Sequence, residues 1–186
     1  NFNKILNYQN MKSIYPILIT LLIILSGCSN NDINKENNTN NGQYVEKNKD
    51  GLIMTLGNFN NDKKEGHFIY FDKKGKLQAQ ENYLNNELHG TQLTLHNTGK
   101  ISTETTYATG IKNGSYTKYY KTGKLQETGS YKDGKKDGEI IWYYDSGQKN
   151  IVYTYVDGQL NGPTKTFNKE GVLTKEGNYI NGQLAE

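Results

Sequence analysis

Arginine is absent from this sequence of 186 residues, cysteine and tryptophan occur once each, and histidine occurs three times. Each scarcity excludes something. A single cysteine, Cys28, permits no intramolecular disulfide. Without arginine the chain lacks the side chain best shaped for bidentate capture of phosphate. His67, His89 and His96 share no metal-ligand spacing, and a zinc site needs three or four convergent ligands. Long apolar runs are also missing, apart from Ile14 to Leu25. Only 33% of the residues are hydrophobic and the mean hydropathy is -0.86, so the chain buries little.

Charge adds little. All 22 basic residues are lysine, set against 19 acids. Lys4 and Lys12 lie in residues 1–27, which carry no acid, so the remainder is nearly balanced and no nucleic-acid partner is expected.

What the chain does have is 15 tyrosines and 20 glycines, a composition suited to many short strands and turns. The apolar run 14–25 follows Met11, the expected start, and Lys12. It is shorter than the roughly 20 residues that span a bilayer, and it reads as a signal peptide. Its end, Leu25-Ser26-Gly27-Cys28, resembles the bacterial lipoprotein signal. That resemblance implies cleavage between Gly27 and Cys28 and lipidation of Cys28. The membrane would then be a partner through that lipid, with the protein outside the cytoplasm in the bacterial envelope (the outer membrane if the cell is Gram-negative). Residues 28–41 follow as an Asn-rich, disordered tether.

Residues 42–186 are periodic. Gly66, Gly90, Gly114, Gly138 and Gly162 are 24 apart, as are Gly75, Gly99, Gly123, Gly147 and Gly171. An aromatic column, Phe59, Tyr83, Tyr107, Tyr131, Tyr155 and Tyr179, keeps the same step. Six units result, each reading strand, turn, strand, turn, with no helical period. A three-residue first turn with left-handed glycine pairs Phe71 with Leu77, Leu95 with Ile101, Tyr119 with Leu125 and Phe167 with Leu173, leaving Tyr143 and Lys149 as the odd pair. A two-residue type I′ second turn pairs Tyr155 with Leu160 and Tyr179 with Leu184. Side-chain parity then requires one bulge per repeat, which the Gly66 column could supply. The expectation is all-β: a repetitive antiparallel meander of hairpin repeats forming one elongated, twisted sheet.

Units such as Gly114 to Leu125 followed by Tyr131 to Gly138 resemble the variant MORN repeat of bacteria, which defines the YwqK-type antitoxin family. Leu88-His89-Gly90 matches the His before Gly common in MORN units. The resemblance implies a hairpin scaffold, and a toxin as one candidate partner.

Catalytic chemistry is not expected. Gly129 to Lys135 spells the start of a phosphate-binding loop, but Lys136 replaces the required Ser or Thr and no helix follows. Lys132, Asp133, Lys135, Lys136 and Asp137 read as a solvated turn. Neither metal nor cofactor is expected. The candidate binding face is Phe68, Tyr70, Tyr116, Lys118, Tyr120, Ile140, Trp142 and Tyr144, out of phase with the Phe71 and Tyr119 column; rigid aromatic area is what interfaces enrich. A protein partner fits it best. A carbohydrate or cell-wall ligand, or a structural role in the envelope, are the alternatives.

Overall fold

A computed structural model of the chain describes residues 41–185. The signal segment, Gly27, Cys28 and the tether up to residue 40 lie outside the described residues. Asn41, placed at the end of the tether by the sequence, already pairs with Asn60 in the first strand.

The described residues form one open antiparallel sheet of 17 strands. The long strands pair in chain order, and each short strand after a second turn lies against the same preceding strand as the long strand that follows it. One unit shows the local logic. The strand Gly66–Phe71 turns through Asp72 to Lys76 into Leu77–Leu84. Gly75 donates its N–H to the carbonyl of Asp72 at 2.8 Å, and Asp72 donates its own to that of Lys76 at 2.8 Å. This is a three-residue loop closed by a left-handed glycine, with Gly75 at φ 75°. The expected pairs all form, including the odd one: Phe71 with Leu77, Leu95 with Ile101, Tyr119 with Leu125, Phe167 with Leu173, and Tyr143 with Lys149.

The second turn is the two-residue hairpin expected. Tyr155 faces Leu160 and Tyr179 faces Leu184. Asp157 and Gly158 sit at φ 50° and 84°, both positive as a type I′ turn demands. Backbone hydrogen bonds stack these turns on one another. The Gly134 N–H reaches the carbonyl of Lys112 at 2.8 Å, and that of Gly158 reaches Lys136 at 2.9 Å.

The parity bulge lies elsewhere than expected. Pairing slips by one residue just after the first turn: Phe71 faces Leu77, but Tyr70 faces Ala79, leaving Gln78 extra. Ser102, Gln126, Asn150 and Thr174 are skipped in the same way. At the Gly66 column two residues intervene instead: Tyr83 faces Leu88, whereas Gln80 faces Leu93. An insertion of two preserves the alternation of faces, so that column cannot correct parity.

Packing concentrates on the side that carries Phe68. Phe68 and Ile140 are fully buried and Tyr116 is 3% exposed. A single sheet achieves this by laying large side chains over glycines. Gly57 stands between Tyr44 and Phe68 in the ladder, and a Cβ built on it would lie 2.3 Å from the Phe68 ring. Gly129 faces Tyr116, and its Cβ would lie 2.3 Å from Ile140 Cδ1. The aromatic column closes over the same residues: Phe59 and Tyr83 meet the Phe68 ring edge-on at 5.5 and 5.2 Å, and Tyr131 lies 4.7 Å from Tyr116. The opposite side carries fewer buried residues, among them Ile69 and Val152 on strands far apart in the ladder.

Candidate binding face

The eight residues of the expected face divide into three groups. Phe68, Tyr116 and Ile140 are core, and offer a partner no side-chain surface. Alternation of the strands was read correctly, but the Tyr83 column shares their side and covers them.

Tyr120 and Tyr144 work along the first-turn edge. Their hydroxyls donate to the carbonyl oxygens of Tyr143 at 2.7 Å and Phe167 at 2.9 Å, each one repeat onward. His96, in the same column, lies 2.8 Å from the Tyr119 carbonyl. In other repeats that column holds Asn48, Asp72 and Asn168, whose side-chain oxygens cap their own turns instead. Lys124 and Thr122 add bonds to the next turn at Asp145. In the His96 column, then, the long side chains of the middle repeats tie neighbouring repeats, while the short ones serve their own turn.

Tyr70, Lys118 and Trp142 remain half-exposed in one row across the strands. The ladder places Thr55 opposite Tyr70, Tyr70 opposite Ala79, Lys118 opposite Glu127, and Glu127 opposite Trp142. Two cationic clusters lie along it. In the first, Lys64 Nζ sits 4.8, 5.6 and 4.6 Å from the ring centres of Phe68, Tyr70 and Tyr83, and donates to the Tyr70 hydroxyl at 3.1 Å.

The second cluster surrounds Glu127, whose side chain is fully buried. Its Oε1 accepts from Lys136 Nζ at 2.8 Å and from the Tyr116 hydroxyl at 2.6 Å. Its Oε2 lies 2.7 Å from Lys118 Nζ, held by charge rather than by an aligned hydrogen bond. Both ammoniums stand 5.9 Å from the Trp142 ring centre. Burial alone raises the pKa of a carboxyl. Here the contact with Lys118 and the hydrogen bonds from Lys136 and Tyr116 outweigh burial and hold Glu127 below its ordinary value. The same carboxylate, after burial itself, pushes the Tyr116 hydroxyl far up, so Tyr116 acts only as a donor.

The residues passed over in the sequence are Glu127, Lys136 and Lys64. The sequence alone places Lys136 in a solvated turn. Its neighbours Lys132, Asp133 and Lys135 are exposed, but Lys136 turns inward to the carboxylate. A signal existed: Glu127 is the one acid in a column otherwise holding Thr55, Ala79, Thr103, Ile151 and Lys175. The apparent phosphate loop fails on geometry. Gly129 is a strand residue seated between packed side chains, and the Gly134 N–H is already bonded to Lys112. Among the described residues, no three His, Cys, Asp or Glu side chains come together as a metal site.

A stacked-hairpin array with a partly open aromatic and cationic row defines a class: repeat scaffolds that act as binding modules. The MORN repeat variant family matches residues 64–85, 112–133, 136–157 and 160–181, each in step with the 24-residue period, so the chain carries MORN-variant repeats. Two further units share the geometry without matching: the first, and the one in which Gln92 takes the place of Phe68. None of the curated proteins matches the chain.

Proposed function

We propose that this array is the partner-binding part of a lipoprotein of the bacterial envelope, held outside the cytoplasm through Cys28, and that it works by holding a protein rather than by catalysis. The observation that supports protein binding is the half-exposed row of Tyr70, Lys118 and Trp142, rigid side chains whose neighbours already fix their positions. Stacking of a sugar ring is the poorer fit, because two ammoniums already stand at the Trp142 ring.

The envelope address rests on Leu25-Ser26-Gly27-Cys28. A toxin is the partner suggested by the resemblance to the YwqK-type family. Outside the cytoplasm such a toxin arrives from another cell, so the role is immunity rather than control of the cell's own toxin.

Two measurements test this reading. An alkyne-tagged fatty acid fed to expressing cells labels the wild-type protein and not Cys28→Ser; equal labelling of both removes the anchor. Crosslinking of the anchored protein in cells captures a defined protein through the Trp142 row, and Trp142→Ala loses it while melting normally. Capture unchanged by Trp142→Ala places the partner on another surface.

A further inference from the structure

Burying a carboxylate in a thin sheet is costly unless it is fully paired. The neighbouring repeats fill the Glu127 position with Ala79, Thr103 or Ile151 and keep the same register, so the fold does not need the acid. What Glu127 does that those residues cannot is hold two ammoniums at one indole ring. Two lysines against one acid leave an excess of one positive charge. Lys118 keeps 42% of its side chain exposed, and Lys136 keeps 26%. Lys112 extends the cationic surface, standing 5.1 Å from the Tyr131 ring centre.

Resting on the protein-binding reading above, we infer that the Lys118–Lys136–Trp142 cluster, with Lys112 beside it, is a subsite for acidic side chains on an extended segment of the partner protein. Glu127 is its positioning residue, fixing both ammoniums before the ligand arrives. The spacing specifies the ligand further. Lys112 and Lys136 occupy equivalent places two strands apart, about 10 Å at the usual strand separation. A segment in the polyproline II conformation rises about 3.1 Å per residue and returns to the same face every third residue, so carboxylates three residues apart match that interval. Such a segment laid across the strands with an acid at every third position places one carboxylate by Lys112 and the next by Lys136.

The test is a polarisation titration of the mature protein with labelled ten-residue peptides carrying Glu at every third position between Gly and Ser. The expected result is binding that weakens with added salt, and that is at least about tenfold tighter than for the Gln counterpart of the same peptide. Lys118→Gln should weaken it about tenfold, Lys118→Arg should restore most of it, and Lys175→Gln, outside the cluster, should leave it unchanged. Lys118→Gln also strands a buried carboxylate, so Lys118→Gln/Glu127→Gln is measured alongside it; a folded double variant with the same loss supports the subsite. Equal affinity for the Glu and Gln peptides, or for wild type and Lys118→Gln, overturns it. Tighter binding of a polyuronate oligosaccharide than of the peptide overturns the peptide assignment. A partner lost by Trp142→Ala but kept by Lys118→Gln leaves the binding face intact and removes the acidic subsite alone.

Discussion

The hydroxyl of Tyr120 donates a 2.7 Å hydrogen bond to the carbonyl oxygen of Tyr143, across the gap between two successive repeats. Tyr144 repeats the relation with Phe167 at 2.9 Å. In a repeat array stability is approximately a sum over units and their interfaces. Tyr120→Phe removes one such bond and leaves a partly buried carbonyl without it, a loss of about 0.5–1.5 kcal/mol. Urea denaturation should report that loss for each of Tyr120→Phe and Tyr144→Phe, and near-additive losses for the double variant, since the two bonds lie in different interfaces. Variants as stable as the wild type would show that these hydroxyls are as well served by water.

Gly123 closes a first turn at φ 88°. A side chain there is strained by the left-handed backbone, at about 1–2 kcal/mol. Its Cβ would also come within 3.1 Å of Lys100 Cδ, a flexible chain that can move aside. Gly123→Val should lower the melting temperature in keeping with the backbone term. An unchanged melting temperature contradicts the three-residue turn.

Gly129 is constrained differently. Its φ is not in the left-handed region, yet a Cβ there would meet Ile140 Cδ1 at 2.3 Å and Tyr116 Cε1 at 3.0 Å. Gly129→Ala should destabilise through overpacking, by about 1–3 kcal/mol. Combining it with Ile140→Val, which shortens the clashing side chain, should recover part of the loss. Strict additivity of the two changes would mean that they do not touch.

Glu127 gives a pH dependence with a definite sign. Its carboxyl titrates lower when folded than the unfolded value of about 4.3. Its stabilising contribution is therefore complete above that value and fades as pH falls through the folded pKa. The stability difference between wild type and Glu127→Gln should be largest at neutral pH and shrink in acid. Asp72 is also held low, first by the backbone N–H groups of Lys76 and Lys74, but it is present in both proteins and cancels from the difference. A gap that stays constant from pH 7 to pH 3 refutes the pairing of Glu127 with Lys118 and Lys136.

Much of the backbone was legible in the sequence, and the reasons are local. A glycine every 24 residues fixed where the chain turns, because left-handed φ is costly for other residues. Apolar pairing across the turn then chose three residues over two, and Phe71 opposite Leu77 follows from that choice. The slip at Gln78 was not legible, because one extra residue leaves no mark in a column of Gln, Ser, Gln, Asn and Thr. The site was half legible. Lys118 and Trp142 were found from alternation, whereas Phe68 and Ile140 lay in the same phase and proved to be core.

Sequence alone determined the period, the two turns and the strand pairs, since each depends on a few adjacent residues and the sign of φ. Only the tertiary structure decided which aromatic side chains are covered and which are open. Burial at Phe68 depends on Gly57 beneath its ring and Tyr83 beside it, and the buried state of Glu127 depends on lysines from two other strands. Those neighbours come from different strands, and their closeness is set by how the sheet folds its side chains over its own glycines, which spacing along the chain does not encode.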